Sequence, residues 1–417
     1  MVKIFVILDG IGDKPCKALN ELTPLQFAKT PNLDYFASEA RHGYVYTLNE
    51  KLAPESDEAI MALLGYDPKQ FYFGRGPLEA YGADMQFKKG YLALRTNFST
   101  VEKDGIKLID RRVGRTLTTK ESKEFEQTLN KQLDLGFPFE FKATVGHRGI
   151  IIIKGEFSSN ISNADPAYKK VGRFGVALTN NSSQFIQTSK PLDPDAKTRL
   201  SSNMVNEITK QSYEILKSHK LNQERKKKYL LEANILLTRD AGTELPELEK
   251  KKGWAAIVSM PLEIGLCRLA GMEILKFDYP ESKSKDVYEN LFDGLNKTIE
   301  TSIKNIKENK FNYYFVHFKE TDIPGHDNKP KEKVKMIELL DKKFFRFLKD
   351  LKNVELVVTG DHSTPCELKG HSADPVPLMH FDNKSGDVID RFDEESCKEG
   401  SYGKLYGKDV LKKVGFE

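Results

Sequence analysis

Apolar residues fall in two rhythms along this chain. At the N-terminus Val2, Ile4, Phe5, Val6, Ile7 and Leu8 form an almost unbroken run that stops at Asp9-Gly10. Such a run predicts a strand buried on both faces that opens into a loop. Residues 255–258, 313–317 and 354–359 repeat the theme, and the last leads directly into Gly360-Asp361-His362. Between these runs the spacing changes. Val287, Leu291, Leu295, Ile299, Ile303 and Ile306 recur at three- and four-residue steps, and residues 331–351 keep the same period. Each predicts a helix with one apolar face. Thr30-Pro31 marks a further helix start. Ser56 opens another helix that Gly65 ends. Strand and helix in alternation predict an α/β fold, a mainly parallel sheet with helices on both faces.

The middle of the chain breaks this alternation. Residues 92–98, 106–109, 139–144 and 150–154 read as strands joined by short turns or one helix. Helical periods follow at 204–218 and 222–232, then a strand at 233–237. This predicts a smaller α+β domain inserted over 86–249. The main domain, 1–85 and 250–417, is then discontinuous.

Composition narrows the classes. At 417 residues, 39% hydrophobic and 30% charged, the chain has a globular balance and room for two domains. A net charge of +4, from 65 basic and 61 acidic side chains, argues against a nucleic-acid partner. No run is long enough for a membrane span, and the N-terminal run is too short and too quickly followed by an acid for a signal peptide. Cys16, Cys267, Cys366 and Cys397 are scattered, which points away from a thiolate metal cluster or a disulfide framework. A cytoplasmic location is expected. Oligomeric state is left open.

The candidate chemistry gathers where predicted strands end. In an open parallel sheet, ligands bind beyond the carboxyl ends of the strands. Asp9, then His317 with Asp322 and His326, then Asp361 with His362 lie at or just past three such ends, and His371 follows in the last loop. Five of the eight histidines fall between 317 and 380. Carboxylate and imidazole donors without thiolate suit Mn²⁺, Zn²⁺, Co²⁺ or Mg²⁺. A pair of such ions ~3.5–4 Å apart clamps both oxygens of a phosphoryl transfer. Ser56 reads first as an N-cap; the same geometry is compatible with a nucleophile, since a helix start also favours a phosphate. His317 and His380 read as structural or supporting residues. For an anionic substrate the candidates are Arg111, Arg112 and Arg115 with Asp110 in one loop, and Arg75, Arg148 and Arg239 elsewhere. Lys319 reads either as a group that offsets transferring phosphate charge or as an exposed lysine at a strand end.

Longer motifs carry a resemblance. Asp9-Gly10-Ile11-Gly12-Asp13, Thr30-Pro31-Asn32-Leu33-Asp34, Ser56-Asp57 with Leu64-Gly65-Tyr66-Asp67-Pro68, Gly74-Arg75-Gly76-Pro77, Asp110-Arg111-Arg112-Val113-Gly114-Arg115, Thr321-Asp322 with Gly325-His326-Asp327, and Gly360-Asp361-His362-Ser363-Thr364-Pro365 resemble the archaeal-type cofactor-independent phosphoglycerate mutases of the alkaline phosphatase superfamily. The resemblance runs from the first residues to about 380. It implies an alkaline-phosphatase-like core with an inserted substrate domain that closes to exclude water, and Ser56 as a nucleophile that becomes phosphorylated. It also implies one divalent metal on Asp322, His326 and His371 and a second on Asp9, Ser56, Asp361 and His362. The reaction implied is interconversion of 3-phosphoglycerate and 2-phosphoglycerate without 2,3-bisphosphoglycerate. The segments 163–166 and 239–242 diverge from the family pattern.

Two other functions fit parts of the pattern. One is a metal-dependent phosphohydrolase or another phosphotransferase on the same core. The other is a non-catalytic metal-stabilised binding protein, which the number of candidate ligands argues against.

Overall fold

The computed structural model describes residues 1–178, 184–280, 286–384 and 386–417. The chain forms two compact units. The first comprises Met1–Phe71, Leu248–Pro280 and Tyr288–Glu417; the second spans Tyr72–Glu247. The second therefore begins earlier than residue 86.

The first unit is built on an eight-stranded sheet. Val2–Leu8 lies at its centre, paired in parallel with Tyr313–Phe318 on one side and Val354–Gly360 on the other. Trp254–Ile257 and Glu273–Ile274 extend one edge, also in parallel. Val376–Phe381 runs antiparallel to Val354–Gly360, then Arg41–Tyr46 and Gly403–Tyr406 complete the other edge. The sheet is thus mainly parallel, as its near-continuous apolar strands predict. Ile4, Val6 and Leu8 enter one core together with Leu33, Phe36, Ile337 and Phe344. Phe5 and Ile7 alternate with them and are equally buried on the opposite face.

Four strands of this sheet escaped the sequence pattern: Arg41–Tyr46, Glu273–Ile274, Val376–Phe381 and Gly403–Tyr406. They are short or interrupted by Gly, Pro and His. The helical period over 331–351 is also not one helix. Pro330–Leu340 passes through a π turn at Asp341–Phe345 before Arg346–Lys349. The turn presents Asp341, whose Oδ1 accepts from the amides of Asn32 (2.9 Å) and Leu33 (2.7 Å) at the start of another helix. A local wide turn often marks such a special contact.

The second unit has a five-stranded sheet. Leu92–Val101 lies antiparallel between Arg148–Ile153 and Ile235–Gly242, with Phe139–Ala143 beyond and Leu108–Asp110 also paired to Leu92–Val101. Thr119–Gln132 and Ala196–Leu216 cover it, burying Phe125, Leu129, Val205 and Ile208 against Phe98, Phe141 and Leu236. A small hairpin, Tyr168–Val171 with Phe174–Ala177, has no counterpart in the predicted elements. No helix among the described residues is long and apolar enough to cross a membrane.

Candidate active site

Parallel pairing brings the ends of Val2–Leu8, Tyr313–Phe318 and Val354–Gly360 side by side, so the loops that follow converge. Leu8 stands opposite both Phe318 and Gly360. Asp9 follows at once, and its amide still donates to Phe318 O (2.9 Å). Gly10 then turns the chain with φ +61°, and its amide donates to Asp361 Oδ1 (3.0 Å).

Two donor groups result. Asp9, Asp361 and His362 form one and Asp322, His326 and His371 the other; within each, the candidate ligand atoms lie within 4.8 Å of one another. The groups are adjacent, because the His362 and His371 rings stack with centroids 3.8 Å apart. Ser56 is the first residue of the helix Ser56–Leu63, and Glu55 is its N-cap. The cap expectation for Ser56 is therefore corrected by one position: Glu55 caps the start of the helix, and Ser56 Oγ is left to face His362 Nε2 at 3.3 Å.

The three histidines share one arrangement. His371 Nδ1 lies 2.8 Å from Pro54 O. His326 Nδ1 lies 3.3 Å from Lys369 O. His362 Nδ1 lies 3.1 Å from Thr364 Oγ1. Each ring is thereby held from outside, and the carbonyl contacts require Nδ1–H on His371 and His326. Each Nε2 points inward, to Asp322 at 3.3 Å from His326 and 3.8 Å from His371, and to Asp9 and Asp361 at 3.4 Å from His362. Thr364, which the sequence did not flag, also donates to Asp322 Oδ1 (2.7 Å).

The electrostatics are those of a cation site. Asp9 Oδ1 and Asp361 Oδ2 are buried without a hydrogen-bond partner. Burial and the Asp361 charge push the Asp9 carboxyl well above its usual range. Burial and the Asp322 charge push Asp361 up to about 6, with the Gly10 amide pulling the other way. Asp322 moves oppositely: despite its partial burial, His326, His371 and His362 hold it well below the usual range. Buried carboxylates facing one another without a cation are costly.

Lys319 reaches this edge with its ammonium 2.9 Å from Glu263 Oε1 and 3.5 Å from Asp9 Oδ2. Glu263, in the helix Pro261–Leu269, is fully buried and held down to about 2, where the Lys319 and His317 charges outweigh its burial. Its position in a helix first turn gave no sign of this role. His317 lies 3.7 Å from Asp9 Oδ2, and burial pulls it down to about 4. His380 does not join the site. It contacts Tyr402 Oη (2.6 Å) and Glu355 (3.0 Å) and pairs with Val357 in mid-strand.

The glycine at position 10 is required twice over. Its φ is left-handed, and a Cβ there would sit 2.6 Å from Asp322 Oδ1 and 2.7 Å from Thr364 Oγ1. Gly10→Ala is expected to lose about 1–3 kcal/mol from backbone strain alone and to displace Asp322. Urea unfolding of the variant measures the first effect; an unchanged midpoint would contradict it.

The second unit holds the arginines. Arg111 forms a two-pronged bond to buried Asp165 (2.7 and 2.6 Å). Arg239 donates to Asp240 (2.8 Å) and stacks over Tyr168 at 3.6 Å. Arg75 donates to Glu79 (2.6 Å), which also faces Arg95 (3.6 Å). Burial, then Arg239 and Arg75, draw Arg95 down to about 9. His147 is half-buried and held well below its usual range, first by desolvation and then by Arg148, Arg112, Arg95 and Arg115. Arg112 is lowered by burial, with Arg115, Arg111 and Arg239 adding to it against Tyr168. Asp110 serves the loop itself, accepting from the Arg112 and Gly114 amides (2.7 and 2.8 Å). Seven arginines thus gather with four carboxylates, an excess of positive charge suited to an anion. Arg95, Glu79, Asp165 and His147 were absent from the sequence candidates. Arg95 sits inside an apolar strand pattern, where only the packing distinguishes a buried cation from a solvated one.

Comparison with known proteins fixes the family. The family model described as 2,3-bisphosphoglycerate-independent phosphoglycerate mutase matches residues 37–222. A protein of that name from Aeropyrum pernix is 38% identical over 420 residues, covering 97% of this chain and 96% of its own. The chain belongs to the 2,3-bisphosphoglycerate-independent phosphoglycerate mutases. As a family member it is an isomerase. Among solved structures, the PH0037 protein from Pyrococcus horikoshii matches with a TM-score of 0.75 at 26% identity, covering 100% of this chain and 98% of that one. The cofactor-independent phosphoglycerate mutase from Thermoplasma acidophilum matches with 0.56 at 29%, covering 99% and 98%. The α/β fold expected from the strand pattern is the fold this family shares.

Proposed function

We propose that this mutase interconverts 3-phosphoglycerate and 2-phosphoglycerate through a phosphoserine on Ser56, with two divalent ions bound by the two donor groups. One ion would be held by Asp322, His326 and His371, the other by Asp9, Asp361, His362 and the Ser56 hydroxyl. The observation that carries this reading is the common setting of the three histidines. Each has Nδ1 anchored outward and Nε2 aimed at carboxylates, the arrangement that metal-binding imidazoles need for a fixed ring orientation. The unpartnered oxygens of Asp9 and Asp361 fit the same ions. Oxygen and nitrogen donors admit Mn²⁺, Zn²⁺, Co²⁺ or Mg²⁺. When bound, such ions lower the pKa of a serine hydroxyl and offset phosphoryl charge.

The protein groups supply the rest. Ser56 Oγ attacks the phosphorus, and the substrate's oxygen–phosphorus bond breaks. Glycerate turns, and its other hydroxyl takes the phosphoryl group back from the serine. The helix N-terminus at Ser56 favours phosphate there, and Lys319, oriented by Glu263, offsets charge that develops on the transferring group. Arg75, Arg111, Arg112, Arg115, Arg148 and Arg239, with Arg95, offer sites for the substrate's carboxylate and phosphate. A hydrolase needs no second anion site, so this cluster favours the mutase over the phosphohydrolase.

The deciding experiment is conversion of 3-phosphoglycerate to 2-phosphoglycerate with no bisphosphate added. Release of inorganic phosphate as fast as isomerisation would overturn the mutase reading. Arg112→Met gives a finer check. Its guanidinium is held among like charges, so its loss is expected to leave thermal stability equal or higher. KM for phosphoglycerate should rise about tenfold or more, the worth of a charged hydrogen bond. A variant with reduced stability and unchanged KM would assign Arg112 to the fold instead.

A further inference from the structure

We infer that Lys333 and Asp13 form a positioning strut that keeps the ligand-bearing loops assembled before any ion binds. This rests on the proposed reading of the two donor groups as ion sites.

Lys333 is fully buried, in the helix Pro330–Leu340 that follows Asp322–His326. Its Nζ lies 2.9 Å from Asp13 Oδ2, 3.4 Å from Gly12 O and 3.3 Å from Thr364 O. The three N–H groups of the ammonium thus meet three acceptors. Gly12 and Asp13 belong to the loop that begins with Asp9. Thr364 belongs to the loop that begins with Asp361 and His362. Lys333 itself comes from the segment after Asp322 and His326. One side chain therefore joins all three.

Asp13 strengthens the joint. Its Oδ1 accepts from the amides of Cys366 (3.0 Å) and Lys14 (2.8 Å), and its own amide donates to Glu394 (2.9 Å). The Thr364 amide donates to Gly12 O (2.9 Å). Thr364 in turn touches both Asp322 and His362, so the strut is one residue from each donor group. Asp13, Cys16 and Cys366 by themselves form a third cluster with metal-ligand spacing, contrary to the scattered look of the cysteines in sequence. The Lys333 ammonium already gives the Asp13 carboxylate a positive partner there, 2.9 Å from Oδ2. All four cysteines are free and buried.

The physical need is clear. Asp9, Asp361 and Asp322 converge, and with no ion present bringing these acidic groups together and out of water opposes assembly of the loops. A salt bridge behind them, with every donor satisfied, holds the loops together. Residues that hold metal ligands in position typically change metal affinity about 10–100-fold, and the strut acts on the ligands through Thr364.

The test combines a variant with a measurement on the unaltered protein. Asp13→Asn with Lys333→Met removes both charges, so neither is left buried and unpaired. The ion-free variant should unfold near the wild-type midpoint yet bind Mn²⁺ at least about tenfold more weakly. At saturating Mn²⁺ its kcat should fall while KM for phosphoglycerate stays near wild type. In wild type stripped of metal, the amides of Thr364 and Cys366 should already be protected from hydrogen exchange. A folded variant with wild-type Mn²⁺ affinity would overturn the proposal. So would Thr364 and Cys366 amides that exchange freely until Mn²⁺ is added. Wild type that fails to bind Mn²⁺ would instead overturn the ion reading, and the exchange measurement would still judge the strut.

Discussion

Ser56→Ala is expected to abolish mutase activity while leaving the fold in place. The two halves of that result have separate causes. Ser56 Oγ faces His362 Nε2 at the mouth of a helix, and no other hydroxyl is proposed as phosphoryl acceptor. Deleting a covalent nucleophile costs on the order of 10³–10⁶ in kcat in enzymes that depend on one. The helix does not lose its cap, because Glu55 holds that position and its amide donates to Glu58 Oε2 (3.1 Å). The stability change should therefore stay within about 1 kcal/mol. Coupled-assay rates and thermal melting measure the two halves, and mass spectrometry of protein quenched during turnover should find phosphate on Ser56 in wild type alone. Activity above a tenth of wild type in the variant would end the covalent route.

Metal removal has the second largest expected effect. Chelation should eliminate isomerisation, and Mn²⁺, Zn²⁺, Co²⁺ or Mg²⁺ added in turn should restore it to different extents. Binding should also raise the unfolding midpoint, by about 2.7 kcal/mol of stability at an ion concentration 100 times Kd. The pH dependence follows from Asp361, whose carboxyl stands at about 6 in the ion-free protein. Below that pH an ion must displace its proton. Affinity is then expected to weaken as pH falls by about tenfold per pH unit for each proton released, with Asp9, which burial and the Asp361 charge also raise well above its usual range, adding its own proton. Titration calorimetry in buffers of different ionisation enthalpy reads the proton release directly. Full activity after chelation, or an affinity flat from pH 5 to about 7, would sink the claim.

Much of the donor geometry was legible along the chain. Asp9, Asp361 and His362 announce themselves because an apolar run ends abruptly in a polar side chain, and a parallel sheet delivers such residues to one edge. Asp322 and His326 follow a third run in the same way. The supporting residues were not legible. Lys333 is one of four lysines at 329, 331, 333 and 335, and by composition it reads as part of a solvated face. Only the packing of Pro330–Leu340 against the Asp13 and Thr364 loops buries that one. Glu263 reads as an ordinary acid in a helix first turn, and Arg95 as a stray charge in a strand. Asp110 was singled out for a ligand but its carboxylate shapes its own loop.

The chain's own order of residues determined which strands would be buried, where they would end, and which donors would stand at those ends. This is because hydrophobic period and strand termini are local properties. The pairing of strands, the outward anchoring of each imidazole, and the choice of which lysine, glutamate or arginine is buried were decided by the tertiary structure. Those depend on contacts between residues hundreds of positions apart, where one carbonyl or carboxylate in the right place turns an unremarkable side chain into part of a site.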